Sequence, residues 1–248
     1  MILLPGAVLP AGPAYDALLE SLGDEVDAAA KNLEVYAEDE PPAGYTLDAE
    51  VEGILRLAEA KGFERFHLVG YSAGGAASLF FASQHPQRLR SLALLEPAWA
   101  GNRGLDPAEE GIWREIDRIM QLPPEEMLPE FVRAELRPGV DPPPPPPGPQ
   151  PPWMARRPAG LRAVTDAFKA AELDVEALRA FEAPVYYALG ALSNPDLYEQ
   201  VARRLSDVFP DFTLEVFAHR HHFDPPHRVE AKRLAISLAA LWNRAESR

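Results

Sequence analysis

The segment that most constrains this chain is Phe66-His67-Leu68-Val69. It runs without a break into Gly70-Tyr71-Ser72-Ala73-Gly74-Gly75, and an apolar helical pattern then lasts to Gln84. The order is strand, sharp turn, helix. A short, nearly continuous apolar run suits a strand covered on both faces, as in a parallel sheet with helices on either side. The turn has the spacing G-x-S-x-G, and its place between strand and helix gives the string its meaning. A serine there sits on strained backbone with its hydroxyl exposed. Small residues two positions away on each side, Gly70 and Gly74, let the chain fold back without a clash. The N–H of Ala73 then points, with the helix N-terminus, toward a site where negative charge can develop. The plainer alternative is a helix N-cap serine after a tight turn.

The rest of the chain repeats the alternation. Strands are expected at 1–4, 33–36, 66–69, 92–95, 185–189 and 213–217, and helices at 13–22, 47–61, 73–84, 196–208 and 229–245. Thr46 is the expected N-cap of the second helix, and Gly62 its end. Strand and helix in this order imply right-handed crossovers and a mostly parallel sheet. Residues 98–182 break the rhythm, with helices expected at 107–121, 124–136 and 161–171. Between them lies a proline-rich tract, 141–152, expected to be an extended left-handed connector. The expected organisation is a core of residues 1–97 and 183–248, interrupted by a helical lid of residues 98–182.

Composition narrows the partners. The net charge of −14 repels phosphate backbones and anionic lipid, so neither nucleic acid nor a membrane surface is expected. With no cysteine, disulfides and thiolate chemistry are excluded. No apolar stretch is long enough to span a bilayer and no signal peptide is evident, so a cytoplasmic location is expected. A P-loop or dinucleotide fingerprint is absent, because the glycines at 70–75 have the wrong spacing.

Taken together, the turn at 70–75 and its flanking elements resemble the α/β-hydrolase fold superfamily, over nearly the whole length of the chain. The resemblance implies a sheet of about six strands flanked by helices, trimmed at its N-terminal side, since the loop Leu3-Leu4-Pro5-Gly6 stands where the family's first oxyanion loop follows a later strand. Pro5 takes the place of the family's usual His, and the N–H of Ala7 becomes the second expected oxyanion donor, beside Ala73. Ser72 is then the nucleophile; a serine here argues against dehalogenation, which needs an aspartate.

The base is sought among six histidines. His67 falls within a strand and His85 after a helix, so both are expected to be structural. The family's histidine follows the last strand, and His222-Phe223-Asp224-Pro225-Pro226 fits that pattern, with His221 as the adjacent alternative. His219, His221, His222, Asp224 and His227 also form a metal-like cluster, but the two prolines interrupt any helical ligand spacing, and no metal is expected. For the acid, the family's usual loop reads Gly190-Ala191-Leu192-Ser193-Asn194-Pro195-Asp196, without an aspartate at the usual place. The alternatives are Glu96 at the end of the fourth strand, Asp196, or no carboxylate; Glu96 is preferred.

The resulting expectation is a serine hydrolase of a small ester, thioester or lactone, working through an acyl-enzyme without a cofactor. The alternatives are a non-catalytic small-molecule binder, and a carbon–carbon hydrolase or perhydrolase using the same Ser-His pair. Tyr71, Trp99, Trp113 and Trp153 are the expected substrate-binding residues, with Phe131 and Met154 nearby in the middle segment. A small-molecule substrate is the expected partner, and a homodimer is left open.

Overall fold

The computed structural model describes residues 1–24, 26–144 and 147–247. Six strands form one sheet in the order β2-β1-β3-β4-β5-β6 among the described residues. They are β1 (Ile2–Leu4), β2 (Ala29–Ala30), β3 (Phe66–Tyr71), β4 (Leu89–Leu95), β5 (Val185–Gly190) and β6 (Phe212–Phe217). Every pairing between them is parallel. Because side chains alternate along a strand, the sheet supplies two cores. Ile2, Leu4, Leu68, Leu92, Leu94 and Val185 face one way. Leu3, Val69, Ala93, Leu95, Tyr186 and Ala188 face the other. Complete burial of one such aliphatic side chain is worth roughly 1.5–3 kcal/mol, and this forbids a one-residue slip of any central strand.

Ten helices are described: α1 (Ala11–Leu22), α2 (Leu47–Ala60), α3 (Ala73–Gln84), α4 (Pro107–Met120), α5 (Pro124–Ala134), α6 (Arg157–Ala170), α7 (Val175–Arg179), α8 (Pro195–Val208), α9 (Pro226–Val229) and α10 (Ala231–Glu246). Helices α1 and α10 cover one face of the sheet. On the other, α2, α3 and α8 share a core with the middle segment. Nearly every residue of α3 is buried. That is why its sequence is apolar all round instead of amphipathic.

The second strand departs from expectation. Residues 33–36 form a 3-10 turn, Glu34–Tyr36, and the strand beside β1 is the dipeptide Ala29–Ala30. Leu33 and Val35 are buried as expected, but they pack into the core from the turn. Apolarity marked the burial, and alternation alone did not fix the backbone. Thr46 starts α2 without a side-chain capping bond. Gly62 does end it, at a φ of 68°.

Between β4 and β5 the chain forms α4, α5, α6 and the short α7, which was not expected. Asp106 caps α4 through a full capping box with Glu109. Of the proline-rich tract, residues 141–144 and 147–151 are exposed and lie outside helix and strand, and a 3-10 turn starts at Pro152. Pro145 and Pro146, also part of that expected connector, lie outside the described residues. No described helix is long and apolar enough to cross a membrane.

Candidate active site

The parallel register brings the carboxyl ends of four strands together. Leu4 of β1 pairs with Gly70 of β3, Tyr71 with Leu95 of β4, and Leu95 with Ala188 of β5. The residues just beyond these pairs therefore meet at the carboxyl ends of the strands, the usual crevice for ligands in open α/β sheets.

Ser72 is the first residue past β3, at φ 53° and ψ −120°. Its N–H donates to Leu95 O at 3.1 Å, and its own carbonyl accepts from Ala98 N at 3.1 Å. These bonds hold a conformation that costs of order 1–3 kcal/mol in a non-glycine residue. The flanking glycines answer a steric need. A Cβ on Gly70 would lie 2.3 Å from Ser78 Oγ and 2.4 Å from Gly74 O; one on Gly74 would lie 2.5 Å from both Leu4 O and Pro5 O. Helix α3 thereby packs directly on β3 and on the loop after β1.

Glu96, the first residue past β4, is the other non-glycine residue with positive φ, 46°, among those described. Its Oε1 accepts from Gly190 N at 2.8 Å, and its Oε2 lies 3.1 Å from Nδ1 of His222. His222 Nε2 lies 3.0 Å from Ser72 Oγ. A carboxylate on Nδ1 assigns the proton to that nitrogen, leaving Nε2 to accept from the serine hydroxyl. The ring is held on both faces: Tyr198 stacks on it with centroids 4.5 Å apart, and Tyr71 with centroids 4.8 Å apart. The Tyr71 hydroxyl donates to the His222 carbonyl. Ser72, His222 and Glu96 are all nearly buried.

Ala7 and Ala73 both line the cleft beside Ser72. Gly74 N donates to Pro5 O at 3.0 Å, which ties the loop after β1 to the first turn of α3. The N–H of Ala73 is the first of that helix, where no intrahelical partner exists. The space in and just outside the cleft is about 460 Å³, open solvent included. Its wall is mostly apolar, and Trp113, Phe131 and Phe168 contribute to it.

Three residues expected to bind substrate lie elsewhere. Tyr71 faces away from the cleft, packed against His222 and His227. Trp99 is a core residue, 1% exposed, stacked on Phe168 with its Nε1 donating to Asn102 at 2.8 Å. Trp153 is half-buried against the Arg157 guanidinium, 5.0 Å from its ring centroid. Large aromatics near a site are as often packing as lining, and their positions in sequence do not separate the two.

The other candidates have structural partners. His221 Nδ1 accepts from Phe223 N at 3.2 Å, and burial lowers its pKa. His67 bonds Ser91 at 2.8 Å, and burial moves its pKa down to about 4. His227 is fully buried against Tyr15 and Tyr71, and desolvation takes it down to about 3, so it stays neutral. Asp196 lies in the first turn of α8, where its N–H donates to the capping Asn194 at 3.0 Å. No group of three metal-ligating side chains occurs among the described residues.

One residue had no signal in the sequence. Glu135 ends α5, is 4% exposed, and lines the cleft. Its Oε2 accepts from the Tyr198 hydroxyl and lies 3.8 Å from His222 Nε2. Desolvation raises its pKa to about 7, against the opposing pull of His222.

Comparison with known proteins agrees with this architecture. A profile of the alpha/beta hydrolase fold matches residues 34–141. Superposition on an esterase from Thermogutta terrifontis gives a TM-score of 0.71 at 19% identity, covering 98% of this chain and 89% of that one. The chain thus has the α/β-hydrolase fold, and its residues 34–141 resemble that family in sequence. Among curated relatives, lipase LipV of Mycobacterium tuberculosis is 32% identical over 123 residues, 48% of this chain and 44% of that protein. A 2-hydroxy-6-oxo-6-phenylhexa-2,4-dienoate hydrolase of Comamonas testosteroni is 46% identical over 57 residues, 23% of this chain and 20% of that one. The matched stretch spans less than half of either curated relative.

Proposed function

We propose that this chain is a serine hydrolase that cleaves small, uncharged carboxylic esters or thioesters through an acyl-enzyme on Ser72. The supporting observation is the relay Ser72–His222–Glu96, with contacts of 3.0 and 3.1 Å, whose serine lines an apolar cleft. His222 Nε2 takes the hydroxyl proton as Ser72 Oγ attacks the carbonyl carbon. Glu96 holds the imidazole in the required tautomer and stabilises the imidazolium that forms. The N–H groups of Ala7 and Ala73 receive the oxyanion; each such donor is worth roughly 3–4 kcal/mol of barrier in comparable sites. The proton on Nε2 then passes to the leaving oxygen or sulfur, and water completes the cycle. The apolar wall favours an uncharged acyl group over a peptide. In this reading residues 98–182 act as a lid, because α4, α5 and α6 supply Trp113, Phe131 and Phe168 to the wall.

A fluorophosphonate probe followed by a panel of p-nitrophenyl esters of graded length tests the reading. Labelling at Ser72 and turnover that peaks at short chains support it. A chain that resists the probe and hydrolyses none of the esters is a binder with a disarmed serine.

A further inference from the structure

Glu135 reaches the site from the helical segment, not from the sheet. Its carbonyl accepts from Asn194 N at 2.9 Å, Asn194 Nδ2 donates to Ala134 O at 2.7 Å, and Arg137 N donates to Leu192 O at 2.9 Å. Leu136 bridges to Ser193. The end of α5 is thus fastened to the loop between β5 and α8, and that fastening delivers a carboxyl group beside Ser72. Tyr198 donates to Oε2, the oxygen that stands 3.8 Å from His222 Nε2. A separation of 3.8 Å is too long for a direct hydrogen bond, and a polar contact at such a distance suits one bridging water. A carboxyl with one donor bound still has lone pairs to offer. Nε2 is also the atom that accepts the water proton when an acyl-enzyme is hydrolysed.

We propose, on the basis of the Ser72 acyl-enzyme reading above, that Glu135 is a catalytic residue of deacylation that holds the hydrolytic water between itself and Nε2. The water directs one hydrogen to Nε2 and the other to a Glu135 oxygen. Its lone pair forms a bond to the acyl carbon as the first hydrogen transfers to Nε2. The tetrahedral intermediate then collapses, breaking the bond to Ser72 Oγ, which regains a proton from Nε2. A carboxylic acid and the free serine result, and Glu135 ends with the protons it began with. Its burial favours this role, since an exposed carboxyl would spread its hydrogen bonds over bulk water.

The test separates the two half-reactions in the full chain. Rapid mixing with p-nitrophenyl acetate gives the acylation rate from released nitrophenolate, and intact-mass spectrometry follows the decay of the acetylated protein. Glu135→Leu, which removes the carboxyl and keeps a side chain of similar size, is expected to leave acylation within about threefold and slow deacylation by at least about tenfold; tenfold corresponds to about 1.4 kcal/mol. Glu135→Gln retains an acceptor oxygen and recovers most of the decay rate. Tyr198→Phe, which frees the carboxyl but leaves it in place, slows decay by less than the leucine variant. Unchanged decay in Glu135→Leu, or acylation and deacylation falling together, overturns the proposal. Absence of any acetyl adduct on Ser72 in the unaltered protein overturns the nucleophile reading and this proposal with it, whereas a normal adduct with unchanged decay in the variants overturns this proposal alone.

Discussion

Two carboxyl groups approach one imidazole from two regions of different character. Glu96 comes from the sheet: its place follows from the pairing of Tyr71 with Leu95, and both its oxygens are occupied, by Gly190 N and His222 Nδ1. Glu135 comes from the helical segment, set by bonds between two loops, and burial holds its pKa near 7. The sheet side fixes a charge and its partner in one geometry. The helical side leaves a carboxyl that changes charge within the neutral range, facing the reacting nitrogen. In the proposed mechanism, orientation of His222 belongs to the core, and control of what meets its far nitrogen belongs to the segment above it.

The largest effects come from removing the centre that both regions share. Ser72→Ala and His222→Ala should each lower turnover by several orders of magnitude, and the double variant should be no worse, because members of one catalytic unit are not additive. Retention of ester hydrolysis within tenfold, on the scale of 1.4 kcal/mol per tenfold, would break the comparison at its root.

The sheet side is tested by Glu96→Gln, which keeps the shape and removes the charge behind the imidazolium. Turnover should fall by up to about 10⁴-fold. Asp196→Asn should leave it unchanged, since Asp196 lies in the first turn of α8 and His222 Nδ1 is already met by Glu96. Steady-state assays of the two variants in parallel decide which carboxylate serves the base.

On the helical side the readout is stability against pH. Burial pushes the Glu135 carboxyl in the folded chain up to about 7, from an ordinary value of 4.5. Its folded pKa is raised, so its contribution is full below about 4.5 and is lost as pH rises to about 7. The loss is about 3 kcal/mol at 1.36 kcal/mol per unit, as an order of magnitude. Glu135→Gln has no such titration. Urea unfolding at pH 5 and pH 8 should therefore show the variant gaining on the unaltered protein at the higher pH, while the other groups cancel in the difference. An equal difference at both pH values would mean that Glu135 is charged throughout.

The smallest effect is expected from deleting residues 142–152. The described part of that tract is exposed, and loop length changes closure entropy only slightly. Melting temperature should move by a few degrees at most, by analogy with perturbations below about 1 kcal/mol. Substrate range should change more, because the tract joins α5 to α6, which both line the cleft.

The sheet, the turn at Ser72 and the histidine loop were legible because each is encoded over a few adjacent residues. Apolar runs specify β3 and β4, and glycines at 70 and 74 answer contacts that leave no room for a Cβ. Glu96 was readable as a carboxylate directly after a strand. Glu135 was not, since nothing in the last turn of α5 separates it from the exposed glutamates earlier in that helix. Its role depends on a fastening to residues 192–194, far along the chain. That Tyr71, Trp99 and Trp153 do not line the cleft beside Ser72 was not readable for the same reason: ring type is local information, whereas the direction a ring faces is tertiary. The strand expected at 33–36 failed because a buried 3-10 turn and a buried strand share one apolar signature.

The left-handed backbone at Ser72 has a consequence for anyone who breeds this protein for heat resistance. A glycine at that position would adopt the same φ without strain. Substitutions there that relax the chain should raise the melting point and remove the proposed nucleophile in one step. A selection that scores survival at high temperature and ignores turnover will therefore drift toward inert variants at this residue, and the screen must couple the two traits to keep the chain useful.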